Sequence, residues 1–247
     1  MNRFYSDNPL SNHQIGQEIT LTDTVYHHWC KVLRAKVGDS GILFDGNGGE
    51  YTVSLTEINK KHAKVLIQNF NPINRTPLFI ANIGLVMSRG DRMDYAIQKA
   101  CEMGVASIQL LTSERCQEHL KYERDLKKIN HWQGVAVSAC EQCGMNIIPK
   151  ILPPVSLSEF VQNCQDELKL VLALSDGKVN FAKFKGGFPN TISLLIGGEG
   201  GLSPAEIGFA IQHNFRAWTI GERVLRTETA PVVALASLHT LYQVFAK

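Results

Sequence analysis

The residues best suited to chemistry lie late in the chain. Gly197-Gly198-Glu199-Gly200-Gly201 follows the apolar run Ile192-Ser193-Leu194-Leu195-Ile196 and precedes Ser203-Pro204-Ala205-Glu206. Glycines admit positive φ and let backbone amides and carbonyls come close to a ligand where a Cβ would intrude. Ser-Pro-x-Glu opens a helix, with Ser as N-cap, Pro at N1 and Glu at N3. A tight turn needs one or two glycines, so four around an acid predict a ligand loop. No Gly-Lys-Ser/Thr follows, which excludes a P-loop. Gly198-x-Gly200 approaches a dinucleotide fingerprint but has Ser203 where the third Gly belongs. Glu222 stands about 20 residues on, where a ribose-binding acid is expected, so a nicotinamide or flavin oxidoreductase stays open as a rival.

A second stretch, Gly221-Glu222-Arg223-Val224-Leu225, follows a predicted strand over Phe215–Ile220. Arg226-Thr227-Glu228-Thr229-Ala230-Pro231 then begins a final helix, with Thr227 or Thr229 as N-cap. That helix is apolar nearly all round (Val232, Val233, Leu235, Leu238, Leu241, Val244, Phe245), which predicts burial within its domain or in a homodimer.

The elements that must position these stretches fall into two regimes. Residues 1–70 read as a small barrel or sandwich. After a short helix over Asp23–Leu33, two apolar runs, Gly41–Phe44 and Tyr51–Leu55, flank Asp45-Gly46-Asn47-Gly48-Gly49, a strong hairpin signal. Ala63–Ile67 alternates as a further strand. The Pro- and Asn-rich stretch Asn69–Pro77 reads as a linker, set at 71–77. From 78 to 247 strands and helices alternate: strands at Leu78–Met87, Val105–Leu111, Ile147–Leu152, Leu168–Leu174 and Ile192–Ile196, and helices at Asp91–Met103 and Glu123–Cys143, with Ser156–Glu159 opening another. Alternation of this kind predicts an α/β domain with a parallel sheet covered by helices, which binds ligands at its carboxyl edge.

Composition is that of an ordinary globular protein, 44% hydrophobic and 19% charged. No secretory signal and no membrane span are read, so the expected location is the cytoplasm. Net charge is +2, so any nucleic-acid site must be a local patch. The cysteines read as free buried thiols, Cys140 and Cys143 included, since no further Cys or His pair completes a zinc set. No metal is expected at His27-His28.

Ile196–Glu206 and Ile220–Ala230 together resemble the bacterial small-subunit (16S) ribosomal RNA methyltransferase family that acts on uridine N3, of the SPOUT class. His27-His28-x-x-x-Val32-Leu33-Arg34, Asp45-Gly46-x-Gly48-Gly49, Arg89-Gly90-Asp91-Arg92-Met93-Asp94, Ser113-Glu114-Arg115 and Glu141-Gln142-x-Gly144 agree, so the resemblance covers nearly the whole chain. It departs at Gly198, where the family usually has Pro. The resemblance implies a trefoil-knotted C-terminal methyltransferase domain, an N-terminal PUA-like β-barrel that binds RNA, a homodimer through the C-terminal domain, and S-adenosyl-L-methionine as cofactor. It implies a cofactor pocket formed by Leu174, Ser175, Ile196, Gly197, Gly198, Glu199, Gly200, Gly201, Ile220, Gly221, Val224, Leu225, Arg226, Thr229 and Ala230. Uridine N3 carries a proton, so the reaction needs a base or a cation that favours the enolate. Arg226 is the candidate cation, or else a cap or phosphate contact. Glu199 and Glu228 are each either the base or a helix N-terminal carboxylate. Arg3, Arg34, Lys36, Arg89 and Arg92 are expected on RNA phosphates. Methylation of another base or a ribose, and RNA binding without catalysis, remain alternatives.

Overall fold

A computed structural model describes residues 1–116, 122–174 and 179–246, with the backbone alone at 122–125. The chain divides into two compact units, Met1–Thr76 with Cys140–Ile148, and Pro77–Ala139 with Pro149–Lys247.

The first unit contains β1 (Asn2–Tyr5), β2 (Glu18–Thr20), α1 (Asp23–Tyr26), β3 (Ser40–Phe44), β4 (Glu50–Ile58) and β5 (Ala63–Asn71). Their order in the sheet is β1-β3-β4-β5-β2. β1 runs parallel to β3 and the other pairs are antiparallel, giving a mixed sheet with β1 and β2 at its edges. The β3–β4 hairpin turns through Gly46, Gly48 and Gly49, all at positive φ. The helix expected over Asp23–Leu33 changes register midway: α1 passes into a π-helical stretch, His27–Val32, where Leu33 N donates to His28 O. That stretch carries Trp29 onto Phe4, ring centroids 4.9 Å apart. Gly41 makes room for it, since a Cβ there would lie 2.8 Å from the Trp29 ring. β5 continues through Asn71, beyond the expected limit at 70.

Cys140–Ile148 is threaded into this unit. Cys140 and Met145 pack with Phe44, and Asn47 bridges to Ile147. Glu50 is ion-paired with both Arg3 and Arg75, the latter at 3.0 Å. Arg3 also donates to Asn146 Oδ1 at 2.5 Å and Arg75 to Gly144 O at 2.8 Å. Burial pushes the Glu50 carboxyl up, but the hydrogen bonds from Arg75 and Arg3 outweigh it and hold the group below the usual carboxylate range.

The second unit runs β6 (Ile80–Val86), α2 (Asp91–Glu102), β7 (Ser107–Thr112), α3 (Tyr122–Cys143, its last turn in the first unit), β8 (Lys150–Ser156), α4 (Leu157–Asn163), β9 (Leu168–Leu172), β10 (Thr191–Ile196), α5 (Pro204–Gln212), β11 (Arg216–Trp218) and α6 (Ala230–Phe245). Every strand pair is parallel, in the order β11-β9-β10-β6-β7-β8. Strands covered on both faces are apolar throughout, and Leu194, Leu195 and Leu170 are fully buried. α2 buries the predicted face, Met93, Ala96, Ile97, Ala100 and Cys101, and Gly104 at φ +79° ends it. β8 lies later than the expected Ile147–Leu152. Its Pro153-Pro154 is tolerated because β8 is an edge strand with a break in register against β7. β11 is shorter than the expected Phe215–Ile220.

Candidate active site

β9, β10 and β11 are neighbours in the sheet, and the segments leaving their carboxyl ends line one cavity of about 500 Å³. β9 supplies Leu172–Leu174, β10 supplies Ile196–Glu199 with Gly201 and Leu202, and β11 supplies Trp218, Ile220 and most of the stretch Arg223–Ala230. Arg92 from the first turn of α2 and Ile207 from α5 complete the wall.

The glycine-rich loop is folded on itself. Gly201, at φ +65°, donates its N–H to Gly198 O at 2.9 Å. A Cβ on Gly197 would sit 3.0 Å from the backbone of Gly201 and Leu202, so this close approach requires glycine. Gly198 lies outside the left-handed region and faces Val86, whose Cγ1 would be 3.0 Å from an added Cβ. α5 then starts on a complete capping box: Glu206 N donates to Ser203 Oγ at 3.2 Å and Ser203 N to Glu206 Oε2 at 2.8 Å. The other oxygen of Glu206 accepts from Glu114 N at 2.8 Å, tying the helix start to the segment after β7. The β11 loop is held to the β9 loop through Thr219 Oγ1, which donates to Ala173 O at 2.9 Å.

Of the residues expected at the cofactor, Leu174, Ile196, Gly197, Gly198, Glu199, Gly201, Ile220, Val224, Leu225, Arg226 and Ala230 line the cavity. Gly200 instead backs onto Arg115, Gly221 is an exposed turn residue at φ +74°, and Thr229 is the N-cap of α6. Ser175 lies outside the described residues. Leu172, Ala173, Leu202, Ile207, Trp218, Arg223 and Thr227 line the cavity without having been expected there. Thr227 and Arg223 were within reach of sequence reasoning, sitting inside a quoted motif. Trp218 and Ile207 look in the sequence like ordinary core residues.

The charged groups form two pairs. Arg92 Nη1 is 2.7 Å from Glu199 Oε1, and Arg226 Nη1 is 3.9 Å from Glu228 Oε1. Arg226 is 82% exposed and Glu228 16%, so the guanidinium stands at the mouth and the carboxylate inside. Among the residues expected on RNA, Arg34, Lys36, Arg89 and Arg92 are exposed, Arg92 at the cavity wall. Arg3 is not: only 10% of its side chain is exposed, and Glu50 and Asn146 hold it within the first unit. Reaching a phosphate would cost Arg3 its bonds to Glu50 and Asn146.

S-adenosylmethionine, the cofactor implied by the resemblance, fits these residues. It is a flat base and ribose ending in a sulfonium and a zwitterionic amino acid. The cavity has the size of a small-molecule site. Leu172, Leu174, Ile196, Leu202, Ile207, Trp218, Ile220, Leu225 and Ala230 suit the base, and Glu199 and Glu228 offer negative charge to the positive end.

Models of two families match the chain, an RNA methyltransferase domain over residues 74–239 and an RNA methyltransferase PUA domain over residues 21–68. The ribosomal RNA small subunit methyltransferase E of Buchnera aphidicola subsp. Schizaphis graminum is 34% identical over 227 residues, 91% of each chain. That of Bacillus subtilis is 29% identical over 247 residues, 96% of each. The Neisseria gonorrhoeae enzyme of the same name, solved bound to S-adenosyl methionine, superposes with a TM-score of 0.87 at 35% identity, covering 98% of both chains. A Legionella pneumophila protein solved with bound cofactor SAM gives a TM-score of 0.89, also at 35% identity, over 98% of this chain and 97% of that one.

Proposed function

The chain belongs to the ribosomal RNA small subunit methyltransferase E family, and from that membership we propose that it methylates N3 of a uridine in small-subunit ribosomal RNA, with S-adenosylmethionine as donor. The observation that carries the site is the convergence of three loops from adjacent parallel strands on one cavity, with Arg226 at its mouth and Glu228 within. When bound, the cofactor supplies an electrophilic methyl group open to in-line attack. Backbone groups of the β9, β10 and β11 loops hold the adenosine. Arg226 stabilises negative charge on a uracil carbonyl as the N3 proton leaves. Glu228, inside the mouth, is the better placed of the two acids to take that proton, because Glu199 is already engaged by Arg92.

The division of labour follows the two family matches. Residues 1–70 serve as the RNA-binding module, 71–77 as the connection and 78–247 as the methyltransferase domain, with the knotted return of the chain as part of this reading. Arg34 and Lys36 on the first unit and Arg89 on the second take RNA phosphates. A homodimer through the C-terminal domain accords with the half-covered apolar surface of α6, on which Val244 is 60% exposed. No helix among the described residues is long and apolar enough to cross a membrane, and the cytoplasm is where ribosomal RNA would be met.

Two measurements test this. Calorimetry should give binding of S-adenosylmethionine and none of NADH; the reverse would return the oxidoreductase. Incubation with unmodified small ribosomal subunits, followed by mass-spectrometric mapping, should place one methyl group on uridine N3. A mark on a ribose or another base would refute the assigned atom, and no mark on subunits or free RNA would refute catalysis.

A further inference from the structure

The proposed reaction gives tasks to Arg226 and Glu228 but none to the second charged pair of the cavity, Arg92 and Glu199, and the geometry of the two pairs differs. Arg92 and Glu199 are 2.7 Å apart, with side chains 47% and 29% exposed, and both line the cavity wall. Arg226 and Glu228 stand 3.9 Å apart with Arg226 open to solvent. A loose, open guanidinium suits an incoming macromolecular substrate, whereas a tight pair in a wall suits a small ligand with fixed charges. The Arg92–Glu199 contact uses one guanidinium nitrogen and one carboxylate oxygen, Oε1. A guanidinium carries more donors and a carboxylate more acceptor sites than one contact uses, so one ligand can add to both ends without breaking the pair. The Gly198–Gly201 hydrogen bond and the packing of Gly198 on Val86 fix the backbone on either side of Glu199. Arg92 is fixed by the first turn of α2, whose Met93 is fully buried.

We propose that Arg92 and Glu199 form the amino-acid subsite of the cofactor pocket, Arg92 taking the α-carboxylate and Glu199 the α-ammonium of the methionine moiety. This rests on the methyl-donor reading and moves Arg92 from the RNA surface, where the sequence placed it, to the cofactor. The opposed charges of the pair match the opposed charges of a zwitterion, and the apolar remainder of the cavity is left for the base. It follows that an adenosine thioether lacking the amino acid gains nothing from either residue.

The test compares two probes by calorimetry on the full chain, S-adenosylhomocysteine and 5′-methylthioadenosine. The wild type should bind the first more tightly. Arg92→Ala and Glu199→Gln should each weaken S-adenosylhomocysteine about 10- to 100-fold, the range of a lost charge-assisted hydrogen bond, and leave methylthioadenosine within about twofold. Arg92→Lys, which keeps a point charge but loses the fork, should fall between. Retained methylthioadenosine binding also shows that the variant pocket is folded. Equal losses for both probes would make the pair a structural pin of the loop and overturn the proposal. So would unchanged S-adenosylhomocysteine affinity, or a wild type that does not discriminate the probes; in these cases the methyl-donor reading survives. A wild type that binds neither probe defeats both.

Discussion

Arg226 and Glu50 are both ion-paired, and burial decides what each pair does. Arg226 is held across 3.9 Å at an open mouth, so its pairing with Glu228 contributes little to stability and leaves the guanidinium available. Replacing it with Ala should therefore lower kcat about 100-fold or more while changing the calorimetric affinity for S-adenosylmethionine only a few-fold. Equal losses in both would make Arg226 a structural residue. Glu50 is buried between two guanidinium groups, and Glu50→Ala strands the charge of Arg3. The expected cost is about 3 kcal/mol, read by urea unfolding at neutral pH. Because the Glu50 carboxyl titrates lower in the folded chain than in the unfolded one, its contribution is complete above the unfolded value and is lost as pH falls through the folded value. The wild type should thus lose stability on acidification across that window, and Glu50→Ala should lose less across the same interval. An equally steep acid loss in the variant would show that other carboxylates govern it.

At the scale of elements, most of the second unit could be read from the chain because local signals and the final packing agree. The face of α2 follows its apolar spacing, and the start of α5 follows Ser203-Pro204-Ala205-Glu206 atom for atom. Ser203→Ala should cost about 1 kcal/mol in thermal or urea unfolding. A smaller effect would mean that Glu206, through its bond to Glu114 N, already holds the helix start alone. Gly84 is legible only in the structure. It lies in β6, and a Cβ there would stand 2.5 Å from the Phe160 ring on α4. Gly84→Ala should destabilise by about 1–3 kcal/mol through overpacking, and a neutral Tm would show that Phe160 can turn aside. The π-helical stretch after α1 and the late position of β8 could not be read from spacing, because tertiary packing of Trp29 and the edge position of β8 decide them.

For the molecule as a whole, the family was legible through the resemblance carried by Ile196–Glu206 and Ile220–Ala230, whereas the chemistry of the residues alone gave a ligand loop at a sheet edge. Part of the cavity's apolar lining was not legible, since Trp218 and Ile207 have no periodic signature apart from the core. The partners of Arg3, Glu50 and Asn146, were not legible either, because they are brought to it from far along the chain. The exposed RNA candidates on the first unit, Arg34 and Lys36, have a collective signature. If Arg34 and Lys36 meet phosphates, replacing either with Ala should weaken RNA binding for all sequences alike and reduce the slope of log affinity against log salt by about 1. An unchanged slope would place the RNA elsewhere on the chain.

The threading of Cys140–Ile148 into the first unit sets a timetable for the chain as it leaves the ribosome. Phe44 and the turn around Asn47 must wait for partners made about 100 residues later, and Arg3 for Asn146, 143 residues on, whereas an uninterrupted N-terminal domain folds as soon as its last strand emerges. Residues 77–139, which belong to the other unit, are made in the interval. The first unit therefore lacks its full sequence until residue 148 has been made, and a nascent chain arrested near residue 76 carries a first unit that has not yet closed.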